Sequence, residues 1–322
     1  MVKSLFKRIG NAVVLLLAVL ILNFTLIHIA PGDPVEVLAG EMGGATPELL
    51  AELRASFGLD QPFHVQLLTY LGNVLQGDLG YSYYYDKPVT DLIFDRIGAT
   101  LLLVISALLF ALLAGTFLGV ASAQKRSSFL SNIVTVISLA GFSAPVFWIG
   151  IMLILLFAVA IPIFPIAGMT SANTPVGTIA NMLDIAHHLA LPALTLASIY
   201  LAFYSRLSRA SMLEVLESDY VRTARAKGMS PFLVVYKHAL RNAILPVVTF
   251  AGLQFAQVIS GAVLVETVFA WPGLGTLAFE SILRRDSPTL LGILFFSALL
   301  VLIVNIFIDI AYRIIDPRIS EK

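Results

Sequence analysis

The chain has no cysteine and few charged residues for its size. Without cysteine it forms no disulfide, no thiolate metal site and no iron–sulfur cluster. Only 12% of its 322 residues are charged and 58% are hydrophobic, whereas soluble domains carry about 25% charged residues. Lys and Arg balance Asp and Glu, 20 against 20, so the net charge identifies no partner. The composition therefore predicts a membrane protein.

Several catalytic motifs are absent as well. The sequence contains no GxxxxGK[ST] string, so it does not hydrolyse ATP by the P-loop route, and it has no nucleophile-elbow or zincin pattern. Residues 273–278 fit a G-x-G-x-x-A string, but no strand precedes them, so a dinucleotide site is not expected. His187 and His188 are adjacent and face different ways on a helix. We expect no catalytic residue, no metal ion and no cofactor on this chain.

Six segments are apolar and long enough to cross a bilayer as helices, which takes about 20 residues. Residues 9–27 exceed the roughly 7–15 residues of a signal-peptide core, so we interpret them as an uncleaved first helix. In the third segment, Pro145 predicts either a kink that lines a cavity or a detail of packing. The predicted fold is an all-α membrane protein with six transmembrane helices, at residues 9–28, 97–124, about 133–160, 188–205, 242–265 and 287–308.

The distribution of Lys and Arg predicts the orientation. If the N-terminus is cytoplasmic, 15 of the 20 Lys and Arg residues lie in cytoplasmic segments, as the positive-inside rule requires. Both termini are then cytoplasmic. The outer segment between the first two spans contains helix starts at Thr46-Pro47, Pro62 and Pro88 and stops at Gly58 and Gly77. It predicts a small helical cap, or a structured loop without a function of its own.

These features divide the chain into four parts. Residues 1–29 form the first helix, 30–96 the outer helical segment, 97–312 a five-helix core with a cytoplasmic loop at 206–242, and 313–322 a cytoplasmic tail.

Ionisable residues stop at the ends of the predicted spans. Glu266 follows the fifth span and Asp309 ends the sixth, which argues against a proton or sodium relay. The fifth span carries small or neutral polar residues that either line a wet path for a solute or bond neighbouring helices, at about 0.6 kcal/mol per contact. The candidate path residues are Gln254, Gln257, Ser260 and Gly261.

A basic segment, residues 218–246, lies between the fourth and fifth spans. Ser218 or Asp219 can cap a short helix that runs to Lys227, Gly228 can reverse the chain, and Ser230-Pro231 can start a second helix. From composition alone the segment either rests on anionic lipid headgroups or docks a partner.

The basic segment resembles the EAA loop of ABC importer permeases. Its residues Ala224, Gly228 and Leu240 match that consensus, whereas Arg222, Thr223 and Arg241 depart from it. These departures are similar to those of the dipeptide/oligopeptide/nickel permeases, which the chain also resembles at residues 28–34, 77–82, 269–275 and 316–319.

The resemblance implies a type I ABC importer permease, most similar to the dipeptide permease B-like subunits, in a bacterial or archaeal cytoplasmic (inner) membrane. It implies import of di- or oligopeptides, or of nickel or another small solute, with a second homologous permease chain, one or two P-loop ATPase subunits that hold ATP and Mg, and an extracytoplasmic substrate-binding protein. A non-transport scaffold or sensor that binds lipid remains the alternative; no nucleic-acid partner is expected. The loop residues that the resemblance places against the ATPase are Asp219, Arg222, Thr223, Ala224, Arg225, Ala226, Lys227, Gly228, Ser230 and Pro231.

Overall fold

The computed structural model is almost entirely helical. It describes residues 2–29, 35–36, 46–56, 58–124, 144–172 and 176–315. Among these, four helices are long and apolar enough to cross a membrane, and five if one bent pair counts as a single span. The helices are α1 (Val2–Ile29), α2 (Pro47–Ser56), α3 (Phe63–Leu75), α4 (Val89–Gln124), α5 (Val146–Ile154), α6 (Ile179–Leu216), α7 (Asp219–Ala226), α8 (Pro231–Leu233), α9 (Leu240–Val268), α10 (Leu274–Leu283) and α11 (Ser287–Ile315).

Two π-helical segments and one short hairpin complete the secondary structure of the described residues. Leu155–Ala160 continues α5 and Val234–Ala239 joins α8 to α9. Strands β1 (Tyr81–Ser82) and β2 (Lys87–Pro88) pair antiparallel. The axis of the fifth span turns by 64° between Pro231–Gly252 and Gln257–Val268.

The chain separates into two compact units. Unit 1 comprises residues 1–98 and 273–304, and unit 2 comprises residues 99–272 and 305–322. The first span and the outer segment thus share a unit with α10 and the start of α11. The pattern of local turns could not predict this grouping, because it depends on contacts between residues far apart in sequence.

Unit 1 has an apolar core beneath the hairpin. Its buried residues come from α1, α3, α4, α10 and α11, among them Leu20, Val74, Ile93 and Leu277. The turns of the outer segment follow the sequence prediction: Thr46 Oγ1 accepts a hydrogen bond from Leu49 N at the start of α2, Pro62 caps α3, and Gly58 and Gly77 have positive φ.

Polar contacts in unit 1 join the hairpin region to α10 and to the turn after it. Ser82 Oγ donates a hydrogen bond to Asp286 Oδ2, and Tyr85 Oη donates to Glu280 Oε2 at 2.6 Å. Burial is the main cause that raises the pKa of Tyr85, and the bond to Glu280 adds to it because it favours the protonated phenol.

Unit 2 packs α4, α5, α6 and α9 around a large apolar core that includes Leu103, Leu196, Val258 and Trp271. Helix α4 approaches α6 closely because Gly115 and Gly119 face it. A Cβ at Gly119 would lie 2.6 Å from Ser205 O and 2.6 Å from Ser208 Cβ. The small-xxx-small spacing therefore has a packing role, as in other membrane helix pairs.

Two sequence predictions differ from the structure, and a third is described only in part. Helix α4 begins at Val89, so the expected third cap helix and the second span are one helix of 36 residues. Helix α9 extends to Val268, so Glu266 lies inside its last turn rather than after the span. The first part of the third span, residues 133–143, lies outside the described residues; helix α5 begins after Pro145.

Candidate functional site

The basic segment starts with the short amphipathic helix α7. Val221 and Ala224 are buried, whereas Arg222 and Arg225, which directly follow them, are exposed. This alternation follows from the helical period, since positions three apart share a face. One side of α7 therefore packs against the protein and the other carries charge into the surroundings.

Gly228 reverses the chain after α7. Its φ is +76°, in the left-handed region that favours glycine. The Gly228 N–H donates to Arg225 O at 3.0 Å, and Met229 N donates to Ala224 O at 3.4 Å, so the helix end has backbone partners. Ser230 then caps the next helix through its Oγ, which accepts from Leu233 N at 3.5 Å, and Pro231 is the first helical residue.

The inner face of the segment is fixed to unit 2 by a separate apolar cluster. Val221, Val234 and Ala239 pack there with Met212 of α6 and Val120 of α4. Asn242 Nδ2 also donates to Tyr220 Oη at 2.7 Å, which ties α7 to the start of α9. The segment is thus a short helix packed against the ends of the three long helices α4, α6 and α9.

The outer face combines charge with exposed apolar groups. Asp219 and Arg222 form an exposed ion pair, with Nη1 3.5 Å from Oδ1, and such pairs contribute little to stability. In helix α8, Phe232 is 68% exposed, and its ring contacts that of Tyr236 at a centroid distance of 4.6 Å. Exposed aromatic residues and arginines are typical of protein–protein contact surfaces.

The apolar part of this surface was not predicted from the sequence. Tyr220, Phe232 and Leu233 are all exposed. Because Pro231 separates Tyr220 from the other two, the three residues do not repeat at helical spacing, and the sequence pattern does not reveal an apolar face. The only available signal was an aromatic residue next to a helix-starting proline.

Nine of the ten predicted loop residues are exposed. Ala224 is the exception, because it is only 7% exposed and packs in the inner cluster. The small side chain of Ala224 packs against Val234, Val235 and Ala239, and contact of the ten residues with an ATPase stays a prediction. The exposed residues are Asp219, Arg222, Thr223, Arg225, Ala226, Lys227, Gly228, Ser230 and Pro231.

The four candidate path residues do not share one environment. Gln257 and Ser260 are exposed on α9, whereas Gln254 and Gly261 are partly buried. The Gln254 Oε1 is buried and has no hydrogen-bond partner among the described residues. A Cβ at Gly261 would lie 3.5 Å from Leu196 Cδ1 and 3.7 Å from Tyr200 Oη, so this glycine faces α6. Of the four predicted path residues, Gln257 and Ser260 are therefore the two that a solute or a partner chain can reach.

A buried acidic residue lies at the end of α9. Glu266 is 0% exposed, and Thr100 Oγ1 donates to its Oε1 at 2.7 Å. One residue earlier in α4, Ala99 O accepts from Trp271 Nε1 at 2.8 Å. These bonds connect α4 to the last turn of α9 and to the turn that follows it. Their partners are far apart in the sequence, so the sequence pattern could not predict them.

The two histidines have protein partners instead of a shared ligand site. His187 Nε2 lies 2.7 Å from Ile163 O, and His188 Nδ1 lies 2.9 Å from Asp184 O. Across the part of the chain that the structure describes, no group of three His, Asp or Glu residues is arranged to hold a metal ion. Residues 274–278 lie in helix α10, and neither short strand leads into it.

Comparisons with known proteins cover nearly the whole chain. The family described as "Binding-protein-dependent transport system inner membrane component" matches residues 115–321, and the family of the corresponding N-terminal part matches residues 1–104. The chain is 40% identical over 339 residues to the dipeptide transport system permease protein DppB of Escherichia coli K12, covering 100% of both chains. It is 42% identical over 336 residues to the di/tripeptide transport system permease protein DppB of Pseudomonas aeruginosa UCBPP-PA14, again covering 100% of both.

A solved structure supports the fold. A chain of the inward-facing MetNI methionine ABC transporter superposes with a TM-score of 0.56 at 17% identity, covering 70% of this chain and 97% of that one. This likeness concerns the fold alone. Together with the family matches, it confirms the predicted type I importer architecture. The chain therefore belongs to the binding-protein-dependent ABC importer permeases, within the dipeptide permease family.

Proposed function

We propose that the chain is the permease subunit of an ATP-driven importer of di- or oligopeptides, and that its basic segment is the element that an ATPase subunit moves. The observation that carries the proposal is the two-sided structure of α7. One face packs against α4, α6 and the start of α9, and the other presents charged and aromatic residues that no element of the described part of the chain covers.

ATP and Mg belong to the partner ATPase in this proposal. The sequence lacks a P-loop string, so the permease has no site of its own for phosphate by that route. Closure of two ATPase subunits would displace α7, and the packed cluster would carry the displacement into the spans. Cargo would then reach the path from a substrate-binding protein on the other side of the membrane.

A second permease chain completes the path. The Gln257 side chain is exposed on α9, within a helix of membrane-spanning length, and polar groups in contact with lipid tails are unfavourable. A partner permease or a water-filled cavity beside Gln257 would keep its amide away from lipid tails. The excess of Lys and Arg in the segments on one side supports a cytoplasmic location for both termini and for α7.

Peptide cargo rests on the relatives. Two chains that match over their full length are named for dipeptide or di/tripeptide transport. Direct uptake of labelled dipeptide by the reconstituted complex tests this part of the proposal.

The substitution Gly228→Asp tests the coupling role. A Cβ at Gly228 would meet nothing within 4 Å, so the folded chain accommodates the change at the cost of a left-handed backbone, about 1 kcal/mol. The new carboxylate would project from the proposed docking surface. We expect normal membrane insertion, near-complete loss of ATP-driven uptake, and loss of ATPase co-purification.

Gly177→Asp is the matched control. Gly177 also has positive φ, +79°, and an added Cβ there meets nothing within 4 Å. It lies away from the basic segment in sequence, and this variant should retain ATPase binding. Wild-type uptake by Gly228→Asp would contradict the coupling role. Loss of uptake with retained ATPase binding in both variants would point to a general effect of the aspartate.

A further inference from the structure

Gly261 leaves a notch where α9 packs on α6 in unit 2. A Cβ at this position would lie 3.5 Å from Leu196 Cδ1 and 3.7 Å from Tyr200 Oη, which are ordinary contact distances. Crowding therefore does not require a glycine here, in contrast to Gly119, where a Cβ would lie 2.6 Å from Ser205 O. Gly261 is partly exposed, so its missing side chain leaves the Tyr200 hydroxyl uncovered on the α9 side.

The Tyr200 hydroxyl is a polar group at the edge of an apolar core. Tyr200 is only 9% exposed, and its ring packs with the core residues of unit 2. The described residues offer its hydroxyl no hydrogen bond, yet this oxygen is not enclosed, unlike the Tyr204 hydroxyl one turn later on α6. Buried polar groups in native proteins almost always have a partner. An accessible hydroxyl in this position therefore indicates a partner from outside the part of the chain that the structure describes.

Gln257 adds a second polar group on the same side of α9. It lies four positions before Gly261 in one straight part of the helix, Gln257–Val268, so the two positions share a face. The Gln257 side chain is exposed, and its amide both donates and accepts hydrogen bonds. Gln254 does not belong to this group, because it lies in the bend between the two straight parts of α9 and its Oε1 is enclosed.

The helices that carry these groups have no charge at this level. Residues 188–205 and 242–265 contain no Asp, Glu, Lys or Arg. An ionised group held at this point would lack a counter-charge within the two segments, which is unfavourable in a membrane interior. A hydroxyl beside an amide suits a neutral group that has both a donor and an acceptor. The peptide unit, with one N–H and one C=O, is such a group.

We propose that Tyr200, Gln257 and the notch at Gly261 form a contact site for the peptide bond of the cargo as it crosses the membrane. The Tyr200 hydroxyl donates to the peptide carbonyl, the Gln257 amide accepts from the peptide N–H, and the notch admits the cargo backbone. Donors and acceptors that line a transporter path select solutes in this way. Because the site recognises the peptide bond, it accepts dipeptides with different side chains. This inference rests on the proposed import of peptides and names residues that would contact them.

The first test needs no variant. The probe is the dipeptide alanyl-photo-leucine, whose diazirine bonds covalently to neighbouring groups on illumination. It is supplied to the complete transport complex during ATP-driven uptake, and mass spectrometry locates the label. We expect label within residues 196–200 and 257–261, and its loss in the presence of excess dialanine. Absence of label from both segments would overturn the inference.

The second test measures the amount of dialanine imported per ATP hydrolysed. Tyr200→Phe should lower this ratio roughly three- to tenfold, because one neutral hydrogen bond to the cargo is lost. Gly261→Ala adds a methyl group at an ordinary contact distance and should lower the ratio as well, although the hydroxyl remains. A role in folding alone would instead reduce the amount of assembled complex, with uptake and ATP hydrolysis falling together.

Tyr204→Phe is the matched control. It removes a hydroxyl from α6 that is enclosed and out of reach of a solute, so the ratio should stay at the value of the unmodified complex. Unchanged ratios in Tyr200→Phe and Gly261→Ala would overturn the inference, and so would an equal loss in Tyr204→Phe. Dialanine uptake by the unmodified complex would still support the proposed function in either case, whereas absence of that uptake would contradict the proposed function itself.

Discussion

Two threonines of helix α4 differ in one respect that stability measurements can resolve. Thr100 donates its hydroxyl to the buried Glu266, whereas the buried Thr116 Oγ1 has no hydrogen-bond partner in the described part of the chain. Thr100→Val should cost about 1–3 kcal/mol in the free energy of unfolding, because a buried acceptor loses its donor. Thr116→Val should leave it unchanged or raise it by up to about 1–3 kcal/mol, because a buried hydroxyl without a partner is replaced by a methyl group.

The measurement is reversible denaturant unfolding of the detergent-solubilised chain, followed by circular dichroism. Equal losses for the two variants would show that the bond between Thr100 and Glu266 contributes nothing beyond the volume of a hydroxyl.

We expect Tyr70 to lower the stability of unit 1 at alkaline pH. Burial raises the pKa of Tyr70 from 10.0 to about 12, because the charged phenolate is poorly solvated. A raised folded-state pKa means that the stabilisation is fully present below pH 10 and is lost as the pH rises toward 12. Tyr70→Phe should remove part of that loss and have little effect at pH 7, since the hydroxyl has no hydrogen-bond partner among the described residues.

Thermal unfolding between pH 8 and pH 11.5 checks this prediction. The midpoints of the two proteins should separate only above pH 10. A constant difference between the two unfolding midpoints over the whole pH range would contradict it.

At the scale of elements, the close packing of α4 on α6 depends on Gly119. An added Cβ would meet backbone atoms, with Ser205 O at 2.6 Å and Arg209 N at 2.9 Å, and backbone cannot yield as a side chain can. Gly119→Ala should therefore destabilise the protein by about 1–3 kcal/mol through overpacking.

Gly98→Ala is the control on the same helix. A Cβ there meets nothing within 4 Å, and alanine favours a helix over glycine by roughly 0.5–1 kcal/mol. This variant should be neutral or slightly more stable in the same unfolding assay. A stable Gly119→Ala would mean that α4 and α6 are not in the close contact described.

The sequence predicted those elements whose ends are set by local chemistry. The starts after Thr46, Pro62 and Pro88 and the reversal at Gly228 were right, because proline and glycine restrict or release the backbone wherever they occur. The π-helical segments were missed, since no short residue pattern identifies them.

Contacts between distant residues were also beyond the sequence. The Ser82–Asp286 and Thr100–Glu266 bonds join residues 204 and 166 positions apart, and a single sequence contains no record of such pairing. The inward position of Ala224 was missed for a related reason. The family resemblance identified a loop but gave no information on which side of α7 packs against the chain.

At the scale of the whole molecule, the apolar spans and the concentration of Lys and Arg in a few segments were sufficient to identify a multi-pass membrane protein. The family matches confirm this as an inner-membrane permease. The first part of the predicted third span lies outside the described residues, and the structure supports four or five spans in the rest.

The central claim is that the outer face of the basic segment contacts an ATPase. Because the chain has no cysteine, an introduced cysteine is the single thiol that this subunit contributes to the complex. Ala226→Cys and Phe232→Cys lie on that face, and Leu68→Cys, at a position 67% exposed on α3, is the control. A short cysteine–lysine cross-linker applied to the assembled complex in membranes should join the first two, and not the third, to a P-loop ATPase subunit. Cross-linking of neither position 226 nor position 232 throughout the ATP cycle would contradict the account.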